Sequence, residues 1–317
     1  MTKSPEFKAD FVVIGAGIVG LSIARELKRR YSDCRLIVLE KEKQIAEHAS
    51  GRNSGVLHAG FYYSPDSLKA KLTRDGNRRL TEYCQEKKIP LNRCGKLVVA
   101  RHERDWQGMQ VLLQRGKQNG IPLELISDKE AREIEPRVKT WEQALFSPTT
   151  TSVSPKIVME HIVADARAEG IHLLLGTKYF SNRGQQLQTS QGKVEAGYVV
   201  NAAGLYADLI AKNFSFSEKY SILPFKGLYL YASNSEEKLR THIYPVPDLR
   251  HPFLGVHFTL TAEGRVKIGP TAIPAFWREH YRGVSRFRFS ELYQIIWREL
   301  GLLFLLVLIF GNLLSKN

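Results

Sequence analysis

The sequence predicts an α/β fold: a nucleotide-binding domain followed by a second domain built on a sheet. Three observations carry that prediction. A glycine-rich turn, Gly15-Ala16-Gly17-Ile18-Val19-Gly20, lies between a short apolar run and a helix-periodic run. Strand and helix signals interleave through the first two-thirds of the chain, and strand-like alternation takes over from Phe225 to Gly269. The length of 317 residues suits two domains of ~150 residues each.

Taken in order, Asp10–Ile14 reads as a strand, and Val19–Arg30 as a helix with Ala24 and Leu27 on one face. Cys34–Leu39 is a second apolar strand, ending at Glu40. From Glu47 to Gly60 the chain is too polar for a strand and too rich in glycine for a helix. Ser67–Lys88 predicts a long helix, Gly95–Ala100 a strand, and Glu103–Asn119 an amphipathic helix ending near Gly120. Ser127 with Glu130 forms a capping box for a short helix that stops before Pro136. Ser154 and Pro155 open another helix, which runs to Glu169. Strands are expected at Ile171–Leu175, Tyr198–Asn201, Leu228–Tyr231, Leu254–Leu260 and Arg265–Ile268, with a short helix after Gly204.

The net charge of +14 favours anionic partners such as a nucleotide, a carboxylate or an anionic membrane surface. The basic pairs Arg29-Arg30, Arg78-Arg79 and Lys87-Lys88 sit among acids on helical stretches, which argues against a nucleic-acid stripe. Cys34, Cys84 and Cys94 are far apart, so neither a disulfide framework nor a zinc site is expected, and a reducing cytoplasm fits. No signal peptide is visible. The run Leu300–Ser315 carries no charge, yet as a helix it spans only ~24 Å against a hydrocarbon core of ~30 Å. Three readings of this tail stay open: an anchor to the cytoplasmic membrane, a core helix, or an aberrant terminus.

In the glycine turn, Gly15 permits a tight bend, Gly17 lets the backbone approach a pyrophosphate, and Gly20 lets helix and strand pack closely. The phosphates then meet the N-terminus of the helix, where backbone N–H groups and the dipole favour negative charge. Glu40, at the end of the second strand, stands where an acid accepts the ribose hydroxyls and repels a 2′-phosphate. A plain NAD domain would continue its helix–strand alternation. Here Glu40 leads instead into HASGRNSGVLHAGFYY, whose small and polar residues suit a backbone passing close to a flat ring system, which favours FAD.

At these residues the sequence resembles a known family. VVIGAGIVGLSIARELK, LEKE and RNSGVLHAGFYYSPDSLKAKL are similar to the L-2-hydroxyglutarate dehydrogenases and oxidases of the D-amino-acid-oxidase-like flavoprotein superfamily. The likeness continues through CGKLVVA, NAAGLYAD, PFKG, IYPVPD, LGVHFT and IGPTAIPAF, from about Asp10 to Glu299. It implies a Rossmann-like FAD-binding domain (residues 1–90 and 150–218) with an inserted, mainly antiparallel-sheet substrate domain (91–149 and 219–290) and an atypical hydrophobic tail (291–317). It further implies that Gly15, Gly17, Ile18, Val19, Gly20, Glu40 and Lys41 bind the ADP half of FAD. Arg52, Asn53, Ser54 and Gly55 would line the flavin and ribityl region, and Asn201, Ala202, Ala203, Gly204 and Asp208 would form a second flavin contact. His58, Lys226, Tyr244 and His257 would face the substrate.

The implied reaction oxidises L-2-hydroxyglutarate to 2-oxoglutarate, with quinone or oxygen as the final acceptor. It needs a base for the hydroxyl proton, and a neutral histidine suits pH 7. His58 is the first candidate and His257 the second, each competing with a merely packed histidine. Lys226 and Arg52 are candidate cations for a dicarboxylate, or surface residues. Tyr244 donates a hydrogen bond or packs. Two departures from the family stand out. Leu228 follows PFKG where an acid is usual, and nothing after Arg298 resembles the family's C-terminal glycine–arginine element that returns to the flavin. The alternatives are a truncated, non-catalytic remnant, or a flavoenzyme acting on another hydroxy acid, an amino acid or glycerol 3-phosphate.

Overall fold

The computed structural model describes residues 6–233, 239–248 and 255–314. In chain order the elements are β1 (Glu6–Ile14), α1 (Ile18–Arg30), β2 (Leu36–Leu39), β3 (Val56–Leu57), α2 (Leu68–Glu86), β4 (Leu91–Asn92), β5 (Lys96–Val99) and α3 (Asp105–Gln118). They continue with β6 (Glu124–Ser127), α4 (Asp128–Ile134), β7 (Gln143–Ser147), β8 (Thr151–Val153), α5 (Pro155–Ala168), β9 (His172–Leu174), β10 (Tyr179–Arg183), β11 (Gln186–Thr189) and β12 (Gly192–Asn201). A 3-10 turn at Gly204–Tyr206 leads into α6 (Ala207–Asn213), then β13 (Phe225–Tyr231), β14 (His242–Pro245), β15 (His257–Leu260), β16 (Val266–Pro274) and α7 (Phe289–Leu314).

The chain forms two compact units. One comprises residues 1–43, 171–227 and 272–317 and is built on a sheet of order β10-β11-β12-β1-β2-β9. Strands β12, β1, β2 and β9 run parallel, and β10 and β11 add an antiparallel edge. Val12, Val13 and all four residues of β2 are buried, the continuous apolar run expected of parallel strands covered on both faces. The β10–β11 hairpin escapes the sequence reading because it is a polar edge. Gly184 at positive φ makes its turn, and only Tyr179 and Leu187 reach the core.

The other unit, residues 44–170 and 228–271, carries a mixed sheet of order β13-β16-β15-β14-β5-β7-β6 and a small antiparallel sheet β3-β8-β4. The observed β15 starts at His257; Leu254, where that strand was expected to begin, lies outside the described residues. Strand β14 was missed altogether, because only four residues separate Thr241 from Val246 and two of them are His242 and Pro245.

Helix ends follow their chemistry. Ser127 Oγ accepts from the Glu130 N–H at 3.3 Å, and the Glu130 carboxylate accepts from the Ser127 N–H at 2.7 Å, so the expected capping box is present. Ser67 caps α2 by accepting from the Ala70 N–H at 3.1 Å. Ser154 precedes α5 without a side-chain cap, and Pro155 fixes that start instead.

The register of the larger sheet sorts its residues by face. Lys96 pairs with His242 and Val98 with Tyr244, while across β7 Lys96 pairs with Ser147 and Val98 with Leu145. Ile243 pairs with Phe258, and beyond it His257 pairs with Gly269 and Thr259 with Lys267. Side chains alternate along a strand, so Lys96, His242, Tyr244, His257, Thr259 and Lys267 share one face. The opposite face holds Leu97, Val99, Ala144, Phe146 and Ile243, which pack with Ile126, Ala131 and Val138 into an apolar core. Chemistry and foundation are thus printed on alternate residues.

Helix α7 continues without a break from Phe289 into the apolar tail. Among the described residues no helix is long and apolar enough to cross a membrane; the side chains of residues 305–317, on which the anchor reading of the tail falls, lie outside them. The start of α7 is tied down: Ile295 is buried, and the Glu291 carboxylate accepts from the Arg278 N–H at 2.9 Å.

Candidate active site

The first unit builds a nucleotide cradle. Strand β1 ends at Ile14, and Gly15 turns the chain at φ +108°, where a Cβ would lie 2.4 Å from the Ala202 carbonyl oxygen. Gly17, in extended conformation, precedes α1 with no side chain capping the helix. A Cβ on Gly20 would sit 1.9 Å from the Gly15 carbonyl oxygen, so the crossing of turn and helix admits glycine alone. The Glu40 carboxylate is held beside the turn, accepting from Ala16 N–H at 3.0 Å and from Glu42 N–H at 2.9 Å. Each oxygen keeps a lone pair for a ribose hydroxyl.

The NAAG segment closes over the same turn. β12 runs beside β1 with Asn201 opposite Ile14, and the Ala202 N–H donates to the Ile14 carbonyl at 2.9 Å. Asn201 folds onto its own loop, donating to Ala207 O at 2.8 Å and accepting from Ala203 N–H at 3.3 Å. The cradle's spared volume and uncapped helix fit a pyrophosphate, and its acid fits a ribose.

Two expected cofactor residues, Asp208 and Lys41, are bonded to neighbouring side chains. Both Asp208 oxygens accept from Arg278, at 2.7 and 2.8 Å, and Ile222 N–H adds a third bond at 3.0 Å. Burial pushes this carboxyl up, but the Arg278 guanidinium outweighs it and holds the group below its ordinary range. Lys41 contacts Glu42 and donates to Glu279 at 2.6 Å, and Arg286 and Tyr206 also bond Glu279, at 2.6 and 2.8 Å. Against the opposing effect of burial, those donors bring the Glu279 carboxyl down to about 2. Arg278→Met would leave Asp208 buried and unpaired, a loss of about 3–5 kcal/mol. Urea unfolding should show that loss, and an unchanged midpoint would refute the pair's role.

The second unit presents the chemical face of its sheet. His257 stacks on Tyr244 with centroids 3.8 Å apart, and its Nδ1 lies 2.7 Å from the Gly255 carbonyl oxygen. A carbonyl accepts only, so Nδ1 carries the proton and Nε2 keeps its lone pair. His242 is set the other way. Its Nδ1 accepts from the Leu260 N–H at 3.0 Å, leaving an Nε2–H beside Ser152 Oγ (3.3 Å) and Cys94 Sγ (3.4 Å). His242 is thus spent on structure, whereas His257 retains a base.

His58 meets Tyr244 edge-on at 6.3 Å. Its loop is pinned through its carbonyls: Asn77 donates to Leu57 and His58, Asn119 to Gly60 and Tyr63, and Arg115 to Tyr62. Burial lowers the pKa of His257 to about 4 and those of His58 and His242 to about 3, with the nearby Lys96 charge adding to each effect. All three rings are neutral at pH 7.

Lys96 lies at 0% exposure among Phe61, Tyr62 and Tyr244, and burial brings its amine down to about 7. Lys267 donates to Ser54 O at 3.0 Å and stands over the Tyr229 ring. Sequence reasoning missed Lys96, His242, Thr259 and Lys267. The available signal was a polar residue at alternate positions of KLVV, HIYP, HFTL and VKIG, visible once the strands are paired.

The contacts of the remaining expected residues are local. Exposed Arg52 donates to Glu47 O at 2.5 Å. Asn53 staples its own loop, donating to Ala49 O at 3.1 Å and Ser50 O at 3.0 Å and accepting from Gly55 N–H at 2.9 Å. Ser54 Oγ accepts from Val56 N–H, and Gly55 adopts φ +73°, where a Cβ would strike the Val153 carbonyl oxygen at 2.5 Å. Lys226, on β13, is half-buried, and its charge bears on His280.

Residues 10–300 match the family of FAD dependent oxidoreductases termed DAO. The chain is 38% identical over 293 residues to an L-2-hydroxyglutarate dehydrogenase of Escherichia coli O17:K52:H18, covering 90% of this chain and 69% of that protein. It is 40% identical over 291 residues to the mitochondrial L-2-hydroxyglutarate dehydrogenase of Homo sapiens, covering 86% and 63% respectively. It therefore spans about two-thirds of the length of these relatives. In fold it is similar to an FAD-bound L-α-glycerophosphate oxidase from Mycoplasma pneumoniae, with TM-score 0.76, 23% identity, and 91% and 77% of the two chains covered. A glycine oxidase from Geobacillus kaustophilus gives TM-score 0.72 and 23% identity over 84% and 72%. A glycine turn flanked by the Glu40 carboxylate and a neutral histidine–tyrosine face thus occur in a chain that belongs to the DAO family of FAD-dependent oxidoreductases and is a homologue of the L-2-hydroxyglutarate dehydrogenases.

Proposed function

We propose that this chain oxidises L-2-hydroxyglutarate to 2-oxoglutarate, with His257 as the base. The observation that carries the chemistry is the fixed tautomer of His257, whose protonated Nδ1 faces Gly255 O and whose Nε2 is left as an acceptor. Relatedness of 38–40% to L-2-hydroxyglutarate dehydrogenases supports the substrate.

FAD, when bound, supplies the acceptor for the hydride that leaves C2. The rest falls to the chain. Gly15, Gly17, Gly20 and Glu40, with Ile18, Val19 and Lys41 beside them, hold the nucleotide half, and Asn201–Gly204 shape the wall beside it. His257 Nε2 receives the hydroxyl proton, and stacking on Tyr244 holds the ring in place for that transfer. His58, edge-on to the same tyrosine, closes the other side of the substrate space.

Purified chain is expected to be yellow and to bleach anaerobically on addition of L-2-hydroxyglutarate. The D-enantiomer, glycine and glycerol 3-phosphate are expected to leave the flavin oxidised. Bleaching by one of these and not by L-2-hydroxyglutarate would replace the substrate assignment. Colourless protein that stays apo with added FAD would remove the activity altogether.

A further inference from the structure

Two lysines on the chemical face are left unused by the reaction above; Lys267 is spent on Ser54 O, and Lys96 is not. The Lys96 side chain is fully buried, and among the described residues Nζ has no hydrogen-bond partner. Three rings box it in, with Nζ 4.6 Å from the Phe61 centroid, 4.5 Å from Tyr62 and 4.9 Å from Tyr244. Ring faces attract an ammonium but accept none of its hydrogen bonds strongly, so they offset only part of the lost hydration. The Tyr62 hydroxyl is also buried with no partner among the described residues, and the buried hydroxyls of Tyr244 and Thr259 have only each other. An ammonium, an unpartnered phenol and a Tyr244–Thr259 hydroxyl pair therefore occupy one region of a single sheet face and the loop that covers it.

Among the described residues no acid compensates the amine. The titratable groups around this face are His58, Tyr62 and Tyr63 of the covering loop, Cys94 before β5, Tyr229 of β13, His242 and Tyr244 of β14, His257 of β15 and Lys267 of β16, none of them a carboxylate. Burial alone accounts for the altered affinity of Lys96 for its proton. Buried charges are ordinarily paired, and here the partner is absent from the chain's own described residues. What completes such a set is an oxyanion that arrives from outside.

We propose that Lys96 is the cation that receives a carboxylate of the substrate, with the hydroxyls of Tyr62, Tyr244 and Thr259 as its auxiliary donors. The proposal rests on the reading of this face as the substrate site, and it assigns to Lys96 the role for which the sequence offered Lys226 and Arg52. A carboxylate stabilises the charged amine, so binding at pH 8 draws a proton onto Lys96.

Calorimetry of the flavin-loaded chain with glutarate, which carries no oxidisable hydroxyl, tests this at pH 8 in two buffers of different ionisation enthalpy. Wild type should bind with uptake of close to one proton. Lys96→Met should weaken binding roughly 10- to 100-fold and abolish that uptake, with its melting temperature unchanged or raised. Tyr62→Phe, nearly isosteric, should weaken binding several-fold and keep the uptake, which covers the case in which Lys96→Met does not fold. Equal affinity and equal proton uptake in wild type and Lys96→Met would overturn the proposal, as would the absence of saturable heat from wild type. Lys96-dependent glutarate binding without bleaching by L-2-hydroxyglutarate would sustain the carboxylate site and defeat the oxidation reading. Bleaching with the same KM in wild type and Lys96→Met would do the reverse.

Discussion

Gly20→Ala is expected to purify without flavin. The added Cβ falls 1.9 Å from the Gly15 carbonyl oxygen and 3.2 Å from the Ala202 Cβ. The first of these is backbone and cannot rotate away, so α1 must move off the turn. The start of the helix then loses its alignment on the pyrophosphate, and nucleotide affinity should fall by about 3 kcal/mol, roughly 100-fold. Overpacking costs about 1–3 kcal/mol of stability as well. Gly76→Ala is the control. It lies within α2, its Cβ would meet nothing within 4 Å, and alanine there should add about 0.5–1 kcal/mol while leaving the protein yellow. The ratio of flavin to protein absorbance after gel filtration decides the matter. A normal ratio in Gly20→Ala would show that this turn does not cradle the cofactor.

His257→Gln should retain flavin and lose turnover by roughly 10²- to 10⁴-fold, the contribution of a positioned base. Glutamine can still donate to Gly255 O but offers no basic nitrogen. The working form of His257 is neutral, so activity should be lost as pH falls through about 4 and be fully present above it. That acid limb should vanish in the variant. His58→Ala should also keep its flavin but lose less turnover, because the His58 ring has only an edge contact with Tyr244. Stopped-flow reduction by L-2-hydroxyglutarate separates the two histidines. An unchanged reduction rate in His257→Gln would move the base to His58.

The nucleotide half was legible because its chemistry is local. A turn that must spare a Cβ writes glycine at fixed spacing, and Glu40 follows a strand of four buried apolar residues. The candidate substrate face was only half legible because its geometry is non-local. His58, Tyr244 and His257 followed from the family resemblance, and the structure brings their three rings together. Lys96 was passed over because a lysine opening KLVV reads as the solvated end of a strand, yet it is fully buried. Only the pairing of β5 with β14 reveals that it shares a face with Tyr244. The partner of Asp208 was illegible for the same non-local reason. The family resemblance offered it as a flavin contact, while Arg278, seventy residues away in sequence, bonds both of its oxygens.

The alternation within β5, β14, β15 and β16 also makes the site unusually sensitive to insertions and deletions. A strand that slipped by a single position would keep its backbone ladder and its composition, yet exchange its two surfaces wholesale. In β14 such a slip would send Ile243 toward the substrate and drive His242 and Tyr244 into the greasy layer against Ile126 and Val138. Lengthening the connection before β14 should therefore be tolerated, whereas one extra residue inside it should erase activity and stability together. Counting parity along these four strands separates the positions that can be re-engineered for a new acid from those that keep the domain folded.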